Sequence, residues 1–141
     1  MIKFKLIDPQ TIDRLPAVEK ILSEEAGVVF AYLFGGFAAG RPTPLSDVDI
    51  AVYFDSKADL ARRKLDLFDR LADALGTAEL DLVPLNTAPL SLAGRILQNR
   101  RILADRNPPF RHAYESLTRR EFFDFSRKEC DILLRRYAID G

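Results

Sequence analysis

Three aspartates and two glycines in this chain have the types and spacing to do chemistry together. Asp47 and Asp49 stand two apart in Ser46-Asp47-Val48-Asp49-Ile50-Ala51-Val52, and Asp81 stands between Leu80 and Leu82. Side chains two apart on a strand project from one face, so the Asp47 and Asp49 carboxylates can share metal ions. A solvated strand face is the plainer alternative. Against it, aspartate is depleted in strands, and neighbouring like charges repel unless a cation sits between them. If the strand bearing Asp81 pairs beside theirs, three carboxylates line one patch suited to magnesium, a hard cation completed by substrate phosphates. Gly35-Gly36 closes an apolar run. Such a turn lets backbone N–H groups approach an anion closely, although an isolated glycine pair need do no more than tighten a turn.

Other chemistries are excluded or have little support. His112 is the sole histidine, so no histidine metal cluster can form, and a surface or partly buried structural role is expected for it. Cys130 is the sole cysteine, which rules out an internal disulfide framework, a multi-cysteine zinc site and a Cys-x-x-Cys motif. Lying in a helical stretch, it is expected to be a small buried hydrophobe.

The elements that must position the aspartates follow from periodicity. Leu15, Val18, Leu22 and Ala26 predict a helix with Pro16 in its first turn and Gly27 at its end. It leads into an apolar, aromatic strand over 28–34, stopped by the two glycines. A loop with two prolines spans 40–45, and a strand follows over 47–53 with Val48, Ile50 and Val52 on one face and Asp47, Asp49 and Ala51 on the other. Leu60, Leu67, Phe68, Leu71 and Leu75 predict an amphipathic helix within 56–75, stopped by Gly76. A third strand over 79–84 puts Leu80 and Leu82 opposite Glu79, Asp81 and Val83. Thr87 is the expected N-cap of a short helix with Pro89 in its first turn, ahead of a brief strand over 101–104. After Asn107-Pro108-Pro109, residues 112–137 read as one long helix or two shorter ones, with Phe122, Phe123 and Phe125 as either core or docking anchors. The pattern is an α/β fold, a short mixed central sheet packed against helices. A single domain over 1–141 with a helical C-terminal segment from about 108 accounts for all 141 residues.

Lysine plus arginine (21) balance aspartate plus glutamate (21), so no overall field draws the chain to nucleic acid or anionic lipid and any phosphate recognition must be local. The N-terminal residues alternate apolar with charged ones and resemble no signal peptide, and no apolar run approaches the ~20 residues of a spanning helix. A cytoplasmic protein that binds neither membrane nor nucleic acid is expected.

Gly35-Gly36, a spacer of ten residues and then Asp47-Val48-Asp49 resembles the signature of the polymerase-beta-like nucleotidyltransferases. The run 46–52 is especially similar to the minimal nucleotidyltransferases, including the adenylyltransferase antitoxins paired with HEPN-domain toxins, whose third carboxylate lies in an Asp-Leu-Val strand like Asp81-Leu82-Val83. The resemblance extends through Leu85-Asn86 and residues 94–103. It implies the polymerase-beta-like fold and transfer of AMP from ATP to a hydroxyl, a tyrosine of a HEPN-toxin partner. It further implies two magnesium ions on Asp47, Asp49 and Asp81, and nucleotide binding by Gly35, Gly36, Arg41 and Ser46. Two positions depart from the family. Gly36 replaces a serine and Ala39 an arginine, and one lost side-chain hydrogen bond to phosphate is worth ~1.5–3 kcal/mol. A weakened or inactive module that neutralises a partner by covering it is the alternative reading.

Overall fold

Leu15, Val18 and Leu22 are the buried residues of the first helix, α1 (Leu15–Glu24), with proline near its start, where backbone N–H groups lack intrahelical partners. Ala26, expected on that stripe, is exposed and lies past the helix end. The chain instead turns at Gly27, with φ +89°, into β1 (Val28–Phe34). The computed structural model describes residues 13–35 and 48–140, with side chains to 136.

The remaining elements are β2 (Val48–Phe54), α2 (Leu60–Leu75), β3 (Leu80–Pro84), α3 (Leu90–Gln98), β4 (Arg101–Asp105) and α4 (Pro108–Asp140). Helix α2 starts later than residue 56 because the chain must first turn through Asp59, whose φ is 52°. Gly76, in the same left-handed region, ends it. Thr87 does not cap α3. It lies in the preceding bend, and Pro89 occupies the N-cap position without a side-chain bond. Asn107 does cap α4, its Oδ1 accepting from the Phe110 N–H at 3.2 Å, and the segment 112–137 belongs to this one helix. Among the described residues no helix is long and apolar enough to cross a membrane.

The four strands run in the order β3-β2-β1-β4. β1 is antiparallel to both β2 and β4, whereas β2 and β3 are parallel, a pairing that needs the crossover supplied by α2. The strand alternation sorts two cores. Leu33, Ile50, Val52, Leu80 and Leu82 pack with Leu22 of α1 and Leu67 and Leu71 of α2. Phe30, Tyr32, Ala51 and Val83 pack on the other side with Ile96 and Leu97 of α3 and Tyr114 of α4. Asn86 lengthens the β2 ladder with its side chain, accepting from the Phe54 N–H at 2.9 Å and donating to the Phe54 carbonyl at 2.8 Å.

A polar cluster fastens α4 to the sheet. Glu115, 3% exposed, accepts from the Tyr32 hydroxyl at 2.6 Å, from Arg100 at 2.7 and 3.1 Å and from Arg111 at 3.0 Å. Arg111 also donates to Asp105 at 2.7 Å. Burial pushes the Glu115 carboxyl up, but hydrogen bonds from Arg100 and Tyr32 and the charges of Arg100 and Arg111 more than offset it, leaving the group below its ordinary value. Burial first, then the Glu115 carboxylate, raises the Tyr32 phenol far above its usual range, so it remains a neutral donor. Around this cluster the rings of Phe30, Tyr53, Phe110 and Tyr114 meet at centroid separations of 5.1–6.3 Å.

Candidate active site

Strand pairing brings two of the expected carboxylates together. Asp49 and Asp81 are register partners across the parallel β2–β3 pair, each the second residue of its strand. Alternation puts both on the face where Ala51 and Val83 pack. Neighbouring strands lie about 4.8 Å apart, which keeps the two carboxyl groups within reach of a shared cation. Asp49 is half-buried and Asp81 exposed, so the pair opens to solvent on the β3 side.

On its other side Asp49 pairs with Phe34 of β1, and the next residue is Gly35. Gly35 has φ +74°, a conformation that favours glycine. A Cβ there would collide with Oδ2 of Asp49 and stand 3.2 Å from its Cγ. Glycine at 35 therefore does two things: it adopts the left-handed backbone at the end of β1, and it leaves the space into which the Asp49 carboxylate leans. The Gly35 backbone and the Asp49 carboxylate thus lie side by side.

Gly36, Arg41, Ser46 and Asp47 lie outside the described residues. Among the described residues no group of three or more acidic, histidine or cysteine side chains gathers as a metal site. What the structure does assemble is Gly35, Asp49 and Asp81. This donor set fits a divalent hard cation: two carboxylates in register, with a glycine notch that keeps side-chain bulk off one of them.

Cys130 is exposed, contrary to the burial expected of it, because the part of α4 that carries it packs against no other element among the described residues. His112 is exposed and lies 3.0 Å from a guanidinium nitrogen of Arg111, a surface structural role. Sequence reasoning named Asn86 only within the resemblance and missed its bonds to Phe54, and it missed the Glu115 cluster. The four-residue spacing of Arg111 and Glu115 was the one signal of the latter, since such pairs meet on a helix.

Residues 17–109 match the family model described as polymerase beta, nucleotidyltransferase. The chain belongs to that family. In fold it is similar to a chain of the complex between a tri-AMPylated Shewanella oneidensis HEPN toxin and an MNT antitoxin, with TM-score 0.68, 20% identity and coverage of 90% of this chain and 98% of that one. It is also similar to a chain of a toxin–antitoxin structure with AMP-PNP, at TM-score 0.61 and 22% identity over 90% of this chain and 94% of the other. A chain of the MntA–HepT toxin–antitoxin structure gives TM-score 0.64 at 20% identity, covering 89% and 97%. At such identities the likeness establishes the fold. No curated protein matches the sequence significantly. As a nucleotidyltransferase of the polymerase beta family, the chain carries Asp49 and Asp81 on neighbouring strands of its α/β sheet.

Proposed function

We propose that the chain is a single-domain cytoplasmic nucleotidyltransferase that moves AMP from ATP to a tyrosine hydroxyl of a HEPN-domain toxin and so serves as that toxin's antitoxin. The observation that carries this reading is the Asp49–Asp81 register pair beside the Gly35 notch, in a chain of nucleotidyltransferase family. The nucleotide and partner are suggested by structural neighbours that contain AMP-PNP or an AMPylated HEPN toxin.

In this reading Asp47 and Asp49 would hold one magnesium ion and Asp81 would share in holding a second; the chemistry such ions would supply is neutralisation of charge on the departing pyrophosphate and a lowered pKa for the attacking hydroxyl. In the same reading Asp81, the more exposed of the described pair, accepts the proton of that hydroxyl. The backbone N–H groups of Gly35 and Gly36, with Arg41 and Ser46, orient the phosphates for in-line attack. The tyrosine oxygen bonds to the α-phosphorus as the bond to pyrophosphate breaks.

Calorimetry tests the metal dependence. ATP is expected to bind with magnesium and to lose most of its affinity in excess chelator, because clustered carboxylates repel a bare triphosphate. Equal affinity in both conditions sinks the reading. Co-expression with a HEPN-domain toxin is expected to give a complex whose toxin gains AMP by mass spectrometry, and Asp47→Asn is expected to abolish the gain. A complex without modification would favour the covering module, the reading for which Gly36 in the serine position speaks.

Gly36 carries its own prediction. Gly36→Ser restores a donor to phosphate and is expected to tighten ATP binding or raise the transfer rate by about tenfold or somewhat more. Weaker binding in that variant would mean the site is built around glycine.

A further inference from the structure

Helix α4 runs for 33 residues, about 50 Å, yet among the described residues only its first part is held by other elements. Arg111, Glu115 and Thr118 are buried and Phe122 half-buried, whereas every residue from Phe123 to Arg136 is exposed. Helices in proteins draw most of their stability from packing an apolar face, so a projecting segment of this length calls for cover. The stripe that binds α4 to the body, Arg111, Glu115, Thr118 and Phe122, continues at the same helical spacing through Phe125, Glu129, Ile132, Leu133 and Arg136. Phe125 is 38%, Ile132 58% and Leu133 49% exposed.

We propose that this stripe pairs two copies of the chain, with their α4 helices antiparallel about a two-fold axis between Ile132 and Leu133. The charges on the stripe select this occupant. Glu129 and Arg136 lie equally far from that axis on opposite sides, so each Glu129 faces Arg136 of the second copy, twice by symmetry, while Ile132 faces Leu133. A parallel pairing would set Glu129 against Glu129 and Arg136 against Arg136, which is repulsive. The stripe is thus complementary to itself in one orientation. Lys128, Asp131 and Arg135 on its flank are of mixed sign and oppose neither arrangement. The overlap covers 125–140, about 24 Å of helix.

Sedimentation velocity of the full chain, in reductant so that the exposed Cys130 cannot cross-link, tests the proposal. A concentration-dependent monomer–dimer equilibrium is expected. Arg136→Glu and Glu129→Arg each place like charges across the seam and are expected to raise the dissociation constant at least about tenfold. The double variant Glu129→Arg/Arg136→Glu is expected to restore it to within about threefold of the parent. Below the parent's dissociation constant, where every form is monomeric, circular dichroism and thermal unfolding should be the same for the parent and these variants, which separates lost pairing from a damaged fold. A chain that stays monomeric at hundreds of micromolar overturns the proposal, as does a dimer indifferent to the single exchanges. Failure of the double exchange to restore pairing, with both singles weakened, overturns the antiparallel register.

Discussion

Gly35→Ala is expected to cut nucleotidyl transfer at least about 100-fold in a chain that still folds. The new methyl group has no room, because the Asp49 carboxylate occupies its place, and the backbone at φ +74° resists any side chain. The left-handed conformation alone costs a non-glycine residue about 1–2 kcal/mol, a stability loss the fold can absorb. The heavier consequence falls on Asp49, which must swing away from Gly35 and from its place opposite Asp81. A displacement of about 1 Å in a reacting array is enough for a loss near 100-fold. Asp49→Asn is expected to lose activity at least as severely for another reason, since a neutral amide is a poor ligand for a hard cation. If Gly35 acts through Asp49, the double variant is no worse than Asp49→Asn alone. Pyrophosphate release and transfer of labelled nucleotide measure all three variants. Wild-type rates for Gly35→Ala would remove the notch from the mechanism, and additive losses in the double variant would give Gly35 a role independent of Asp49.

The residues of this site were more legible in the sequence than their arrangement. Asp49 and Asp81 could be placed on strands, and on the faces opposite Ile50 and Leu82, because alternation between apolar and other residues is a local signal. Their pairing in register was only a condition there, because it depends on α2 returning the chain parallel to β2, a tertiary event. That Gly35 yields its Cβ space to Asp49 has no trace in local pattern at all. Cys130 illustrates the reverse failure. The charge-dense, aromatic composition of 112–137 is consistent with the helix found there but does not say whether a given face has a neighbour, and the segment bearing Cys130 is exposed. Thr87 is a good capping residue, but Pro89 fixes the chain so that α3 opens two residues too late for it. The Glu115 cluster joins residues 83 apart in the chain, and nothing in the runs around Tyr32 or Glu115 points to the other.

That cluster carries the largest expected effect on stability. Glu115→Ala is expected to cost about 3–5 kcal/mol, since it leaves the buried Arg111, the partly buried Arg100 and the Tyr32 hydroxyl without their common acceptor. For a domain of this size that is a fall in Tm of about 10–20 °C, read by thermal unfolding. Tyr32→Phe removes one donor but keeps both arginines on the carboxylate, and is expected to cost no more than about 1.5–3 kcal/mol. The pH dependence separates the ionic contribution from packing. Glu115 has its folded pKa below the ordinary carboxyl value of 4.5, so its stabilisation is complete above that value and is lost as pH falls through the folded pKa. Glu115→Gln keeps the shape and lacks the titration. Its deficit against the parent should therefore be largest near neutral pH and shrink as the pH drops below 4.5. A deficit that stays constant down to strongly acidic pH would mean that α4 is held by its aromatic contacts with Phe30 and Tyr53 and that the Glu115 charge adds nothing.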